Sequence, residues 1–345
     1  MSEPSWIVRE ATAEDFVLAR DLYRTVWGFD RPAAYDRWRY QSPPDGVAPT
    51  AVAVDGDRLA GFFTAWPSRL RVGGDLALAA QAMDVMTHPD YRGQGVYVTL
   101  ARACFEIAAR RGFDVLFGFP NPAAFPGYVR HLGCEHIGDV AQWIRPVRPS
   151  RHPRMPRPLG LVADGVAALW PKGRTGGYDV TLGPPSPADR ARLVSAWCPG
   201  DDLCRTERTP AWLDWRYAPA SAMGYEWITA RRGDEILAAG VLGMKDDSWG
   251  SAADGRARVT ELLGDDPGAV SAVLAVLIDR AKARGAWLIE SVGNVPGVVR
   301  ALKRAGFVCH RRAPLIVRRL SERALGADVR RIDSWRFVGG DLDTF

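Results

Sequence analysis

Two decapeptides, "RPAAYDRWRY" ending at Tyr40 and "RTPAWLDWRY" ending at Tyr217, each place an aromatic residue three positions before a Trp-Arg-Tyr triplet. Upstream of them, "TAED" (Thr12 to Asp15) and "SPAD" (Ser186 to Asp189) both read as a helix N-cap with an acid three residues on. Downstream, "RRGFDVLFGFPN" and "ARGAWLIESVGN" run from a helix-ending Arg-Gly through an apolar strand to an asparagine. Gly112 and Asn121 have the same spacing as Gly285 and Asn294, and a further glycine, Gly133 or Gly306, follows each asparagine at equal distance. Four markers in one order, at an offset that drifts only between 173 and 177 residues, identify a tandem duplication. Any fold for this chain must therefore be built twice.

Each copy reads alike. A short strand (6–9; 178–182) leads into a capped amphipathic helix and then the Trp-Arg-Tyr helix. Strands such as "TAVAVDG" and "GFFTAWPSRLRVGG" follow, broken by Asp55-Gly56 and Gly73-Gly74 turn signals. A strand over 80–87 feeds a glycine-containing loop and a helix with apolar Val96, Leu100, Ala103 and Ile107 at helical spacing. A strand over 115–119, a short helix and a last strand complete the copy. Early strands pair as hairpins and a later pair is joined through a helix, which predicts an α/β (α+β) module with a mixed sheet. The expected division is 1–146, a basic proline-rich linker over 147–177, a second module over 178–320, and an extension over 321–345.

Composition adds limits rather than identity. No apolar run reaches membrane-spanning length, and "MSEPSWIVREATAEDF" lacks the pattern of a signal peptide. The five cysteines (Cys104, Cys134, Cys198, Cys204, Cys309) have no C-x-x-C spacing, which argues against a zinc site or disulfide framework and for a reducing, cytoplasmic setting. Cys104 and Cys134 read as packed residues. The net charge of +5 suits an anionic ligand. Much of the excess lies in "RPVRPSRHPRMPRP", which reads as a solvated, proline-stiffened linker, since no nucleic-acid-binding pattern surrounds it.

The loop Arg92-Gly93-Gln94-Gly95 sits between a predicted strand and a predicted helix. A helix N-terminus leaves its first amides without partners and carries partial positive charge. With glycines ahead of it and an arginine beside it, such a joint can cradle a phosphate. The same loop also serves as a plain connection, and glycine content alone does not separate the two.

"VMTHPDYRGQGVYVTLA" resembles the acyl-CoA-binding motif of the GCN5-related N-acetyltransferase (GNAT) superfamily, a strand, a proline, then Arg/Gln-x-x-Gly-x-Gly/Ala opening a helix. Arg92 and Gly95 match; Tyr97 replaces the last Gly/Ala, a departure that would crowd a pyrophosphate. "GFPNPAAFPGYVRHLGCEHIG" is similar to the family's Asn, Tyr, Leu-Gly-Phe segment. The resemblance spans 5–145, and the duplication extends the fold over 178–320. It implies two tandem GNAT-like modules, each a mixed, mostly antiparallel sheet flanked by helices. It also implies an acetyl-CoA or other acyl-CoA co-substrate, with no metal. Val85, Met86 and Thr87 would then offer backbone groups to the pantetheine arm, residues Gly93, Gln94, Gly95, Val96, Tyr97 and Val98 with Arg92 would hold the pyrophosphate, and Asn121 would touch the pantetheine. Val85 and Met86 also read as core strand residues. In the second copy "GDDPG" (Gly264 to Gly268) replaces this loop, and its two carboxylates would repel a pyrophosphate, so one acyl-CoA site is expected.

Acyl transfer to an amine needs a neutral amine, oxyanion stabilisation and a proton for the leaving thiolate. Tyr128 falls where the family's acid tyrosine lies when counted from Asn121; counted back from Gly133, Val129 takes that slot. The alternative for Tyr128 is packing on a helix surface. Asp84, on the strand leading to the loop, reads as a base whose pKa desolvation would raise, or as an ion-paired structural group. Glu261 and Glu290 read as structural groups near a shared cleft, His88 as a surface residue, and the Trp-Arg-Tyr triplets as packing. The family implies an N-acyltransferase acting on a small-molecule primary amine. A nucleotide-linked amino sugar is the leading acceptor; an aminoglycoside, a polyamine or an amino-acid-like metabolite is the alternative. A non-catalytic acyl-CoA-binding protein is the competing class. Neither nucleic acid nor membrane is expected as a partner, and a homodimer is allowed.

Overall fold

The turn signals and helical periodicities translate into elements close to where the sequence places them. The computed structural model describes residues 5–343 apart from Lys172, Arg174, Cys198, Pro199, Asp201 and Asp246. In the first half the described residues form β1 (Ile7–Glu10), α1 (Asp15–Trp27), α2 (Ala33–Tyr40), β2 (Thr50–Asp55), β3 (Arg58–Val72), β4 (Asp75–Thr87), α3 (Val96–Arg110), β5 (Val115–Gly118), α4 (Phe125–His131) and β6 (Glu135–Pro146). Helix α5 (Arg157–Ala168) follows. The second half then runs β7 (Asp179–Leu182), α6 (Pro187–Trp197), β8 (Cys204–Thr206), α7 (Pro210–Arg216), β9 (Glu226–Arg232), β10 (Glu235–Met244), β11 (Arg256–Leu263), α8 (Pro267–Ala283), β12 (Leu288–Val292), α9 (Pro296–Arg304) and β13 (Val308–Arg319). Except for the added β8, the second order repeats the first. The acids of the two expected N-caps act differently. Asp15 reaches back to accept from the Thr12 amide at 2.7 Å, whereas the Ser186 hydroxyl accepts from the Asp189 amide at 3.1 Å.

All strands but β8 lie in one continuous order, β1-β2-β3-β4-β5-β13-β6-β12-β11-β10-β9-β7, and β8 pairs with β3. Each half thus lends its last strand to the other: β13 pairs with β5 of the first half, and β6 pairs with β12 of the second. The two exchanged strands pair with each other, antiparallel, at the centre. The pairs β4–β5 and β11–β12 are parallel and the rest antiparallel, giving the mixed, mostly antiparallel sheet expected. Apolar side chains of α3 pack on one face of the first half, and those of α8 on the second, as separate buried clusters. Cys104 and Cys134 lie in the first of these, as read from the sequence, while Cys198 is outside the described residues. The linker is not simply extended and proline-stiffened: α5 occupies its centre.

A third cluster joins the halves, and the Trp-Arg-Tyr triplets form its middle. The Trp38 indole stacks on that of Trp215 with ring centroids 5.2 Å apart. Each donates its N–H to the backbone carbonyl of the other, at 2.6 Å from Trp38 and 3.0 Å from Trp215. A buried indole N–H must find an acceptor, and here each helix supplies one to its counterpart. The packing role read for the triplets is therefore their tryptophans' role. Replacing either Trp38 or Trp215 with alanine is predicted to cost about 3–5 kcal/mol, since each leaves a cavity and removes a buried hydrogen bond. The double variant should lose clearly less than the sum, because each single change already breaks the shared contact. Urea unfolding of the three variants measures this, and additive losses would show that the indoles do not act as a pair.

Candidate active site

Strands β4 and β5 pair only over Ala79–Ala82 and Val115–Gly118. Beyond that point they part, because β4 carries a bulge: its register with β3 shifts between Phe62 and Thr64, and Asp84 holds φ at 44°. A left-handed conformation is costly for an aspartate, so the surroundings must hold it in place. The parting opens a cleft of about 570 Å³. One wall is β4, with Asp84, Val85 and Thr87; the other is the chain from Phe119 to Ala124. Unpaired backbone groups on this edge of β4 face the gap.

At one end of the cleft stands the Arg92 loop. Gly93 and Gly95 have φ of 76° and 79°, which any side chain would strain, and Gly95 leads directly into α3. No side chain caps α3, so the amides of its first turn are open. Arg92 is exposed at the rim. Gln94 braces the loop: its amide donates to the Asp90 carbonyl at 3.1 Å and its oxygen accepts from the Trp6 indole at 3.3 Å. The equivalent helix of the second half is closed. The Asp266 carboxylate accepts from the amides of Gly268 and Ala269 at 2.8 and 2.9 Å, and the Tyr178 hydroxyl donates to it at 2.9 Å. The position an anionic ligand would take at α8 is filled by the chain's own anion.

Tyr97 does not lie across the loop. Its ring stacks near Phe63 and meets Tyr128 edge-on with centroids 6.0 Å apart, and it packs so tightly on α4 that Gly127 has no room for a side chain. The expected crowding is thus relieved by a glycine on the facing helix, and Tyr97 becomes part of the cleft wall. Asn121 lines the cleft too, with its side-chain oxygen accepting from the amides of Ala123 and Ala124 at the start of α4. Met86 and Val96 point the other way, into the core, so only their backbone is placed for a ligand. Val98 is partly buried against the same core.

Tyr128 is buried and faces the cleft, while Val129 is on the surface. Counting from Asn121 finds the residue that faces the cleft. Among the described residues none hydrogen-bonds its hydroxyl, and burial pushes its pKa well above the usual tyrosine value, so the hydroxyl keeps its proton.

Asp84 differs from expectation. Burial favours a raised pKa, but the guanidinium groups of Arg39 and Arg31 reach its carboxylate at 2.9 and 3.0 Å and the Tyr40 hydroxyl donates to it at 2.6 Å. Those partners outweigh desolvation and hold the carboxyl well below the usual range. Arg39 also binds the extension after β13, accepting partners being both the backbone carbonyl and the side chain of Asp343 at 2.8 Å. Asp343 is partly buried, and its carboxyl is raised by burial and by nearby Asp84, with Arg39 opposing. Asp84 and Asp343 line both the cleft and a neighbouring cavity of about 270 Å³, walled by Tyr23, Tyr35, Trp38 and Trp249 from both halves. Sequence reading missed Arg31, Arg39, Tyr40 and Asp343. The repeated triplet held a signal for two of them, because Tyr217 bonds Glu261 at 2.8 Å as Tyr40 bonds Asp84. Glu261 is wholly buried on Arg208, and Glu290 pairs with Arg256 away from the cleft, as structural groups. His88 accepts from the Asp90 amide at the start of the loop.

Residues 7–137 match the family model described as Acetyltransferase (GNAT) domain. No curated protein matches the chain in sequence. Among solved structures, a probable N-acyltransferase from Enterococcus faecalis V583 superposes with a TM-score of 0.63 at 12% identity, covering 91% of this chain and 72% of that one. A tandem GNAT protein from the clavulanic acid biosynthesis pathway gives 0.59 at 14% identity, covering 92% of this chain and 100% of that one. A GCN5-related glucosamine N-acetyltransferase region of a fungal multi-domain β-N-acetylglucosaminidase gives 0.60 at 14% identity, over 92% of this chain and 38% of that one. The GNAT domain model thus covers residues 7–137, and the same element order is repeated after it, as in the tandem GNAT fold that these structures share.

Proposed function

We propose that the protein transfers an acyl group, acetyl in the simplest case, from acyl-CoA to the primary amine of a polar small molecule such as an amino sugar. The observation that carries this reading is the continuity of the site. An open helix N-terminus with Arg92 stands at one end of the cleft, Tyr128 lines its wall, and two carboxylates stand where the cleft meets a cavity built from both halves. The bare amides of α3 and Arg92 would bind the pyrophosphate, and the unpaired edge of β4 would align the pantetheine. Acyl-CoA itself supplies the activated thioester.

The acceptor amine would enter from the cavity side. Asp343, with its raised carboxyl, is the group suited to take the amine proton, directly or through water. Asp84 is the less suitable base, because its two arginines lower its affinity for a proton; it acts here as the residue that positions Arg39 and, through it, Asp343. Tyr128 would hand its proton to the departing thiolate sulfur. Aromatic faces and carboxylates together favour an acceptor that is both cationic and polar. The fold likeness to a glucosamine N-acetyltransferase region is an analogy in the same direction.

Four measurements bear on this. Arg92→Glu is expected to weaken acyl-CoA binding at least tenfold by calorimetry; unchanged affinity would remove the loop from the site. Tyr128→Phe should lower kcat by about a hundredfold or more while acyl-CoA affinity changes little, and a near-normal kcat would reduce Tyr128 to packing. Asp343→Asn is expected to lower kcat and to shift the fall in rate on the acid side of the pH profile, a fall that the raised carboxyl moves upward in the parent. Asp84→Asn should instead destabilise the fold by about 2–3 kcal/mol at neutral pH, since it takes a charged partner from two buried arginines and leaves Arg39 with Asp343 and Arg31 with Asp36. The sign follows from its depressed carboxyl: the stabilisation is present above the unfolded value of about 4 and is lost as pH falls below it. A stable Asp84→Asn protein that has lost only turnover would reverse the two roles.

A further inference from the structure

Helix α5 lies in a segment where arginine recurs at every third position: Arg145, Arg148, Arg151, Arg154 and Arg157. Arg145 is buried and turned inward, donating to the carbonyls of Pro171 and Ala305, and so anchors the far end of the helix to the second half. The other four are exposed, and among the described residues none of them has an ion-pair partner.

The helix docks through a narrow face. Gly160 lies so close to the backbone of Ser150 that a side chain there would clash. The Asp164 carboxylate accepts from the Ser150 amide at 2.9 Å and its hydroxyl at 2.6 Å, and Ala167 is buried. The rest of the apolar surface points outward: Leu159, Leu161, Val162, Val166 and Leu169 are between 55% and 85% exposed. At the angular step of a helix these five occupy one contiguous arc of about 160°. Single exposed apolar residues are ordinary on a protein surface, whereas five large aliphatic side chains on one helix face mark a contact surface.

Charge identifies what covers it. From Val140 to Tyr178 the sequence holds seven basic residues and one carboxylate, Asp164, which is turned inward; the rest of the chain holds 38 basic and 39 acidic residues. The segment that carries the positive excess of the sequence is therefore the one that holds this exposed apolar helix face, and four of its arginines, Arg148, Arg151, Arg154 and Arg157, are exposed. A second copy of the chain would bring the same arginines together and be repelled. A bilayer with anionic headgroups offers an apolar layer under a negative surface, which matches both features, and such binding needs both signals together. We propose that α5 is an interfacial helix that docks the protein on an anionic membrane surface, its five aliphatic side chains at the acyl boundary and its neighbouring arginines among the headgroups. The contact is peripheral, since no described helix is long and apolar enough to cross a membrane.

Co-sedimentation of the full chain with vesicles tests this. Binding is expected to phosphatidylcholine vesicles containing phosphatidylglycerol, to be lost with phosphatidylcholine alone, and to weaken when salt is raised to about 0.5 M. Leu161→Glu/Val162→Glu should abolish it. Arg148→Ser/Arg151→Ser/Arg154→Ser should weaken it by about fivefold per arginine removed. Both variants should keep the parent's unfolding curve and acyl-CoA affinity, since neither alters the cleft. Failure to bind the anionic vesicles, equal binding to neutral ones, or full binding by the glutamate variant would overturn the proposal. So would light scattering that shows a dimer which the glutamate variant splits, because the face would then belong to a second copy.

Discussion

Two indoles exchanging hydrogen bonds at the boundary between the halves set the frame on which the site is built. Trp38 and Trp215 fix α2 against α7, and the residues that follow each of them land where that contact puts them. Tyr40 falls on Asp84 and Tyr217 on Glu261, so each triplet places a hydroxyl on a strand carboxylate of its own half. The arginines of the triplets cannot stay buried without acceptors. Arg39 takes the carbonyl and carboxylate of Asp343, and Arg216 takes the carbonyls of Gly340 and Leu342. Arg208, ahead of the second triplet, adds Asp341. The path of the extension after β13 is thus set by unmet charge at the junction, and that path carries a carboxylate to the end of the cleft beside β4.

Duplication has left two copies of one joint in opposite states, one open and one self-capped. In both, a strand turns into a helix whose first amides need an acceptor. At α3 glycines and an arginine leave those amides open. At α8 Asp266 satisfies them from within, and Tyr178 satisfies Asp266 in turn. The second half keeps the architecture but caps its own helix start, while contributing Trp249 and neighbours to the cavity that meets the first half's cleft.

What could be read in advance was what the chain encodes locally. Periodicity, turn pairs and the repeated markers located the elements, and strand–glycine–helix context located the loop. Tyr128 was ambiguous because two counting rules disagreed, and the short α4 decides it by turning Tyr128 inward and Val129 out. Asp84 was placed correctly near the end of a half-buried strand, and desolvation does act on it. The opposing charges come from Arg31 and Arg39, distant in sequence and adjacent only after α2 packs on β4. Asp343 had no local signal at all, since a tail residue acquires its role from where the tail is pulled. The helical content of the linker was hidden by its prolines, which stand before and at the start of α5 and none within the rest of it.

The exchange of last strands has a consequence for how the protein is made. When residues 1–146 have left the ribosome, β5 still lacks the neighbour that will cover its edge, because β13 is synthesised last of all the strands. The first half, which holds the whole Arg92 loop, must therefore wait through most of translation with an open strand edge, a state prone to pairing with the wrong chain. β6, meanwhile, is made early and has no partner until β12 and β13 exist. Closing the sheet joins residues far apart in sequence, which makes folding slow and nearly all-or-none for the two halves. The ordering also acts as a check on completeness: a chain cut short anywhere before its final strands cannot close the sheet at its centre.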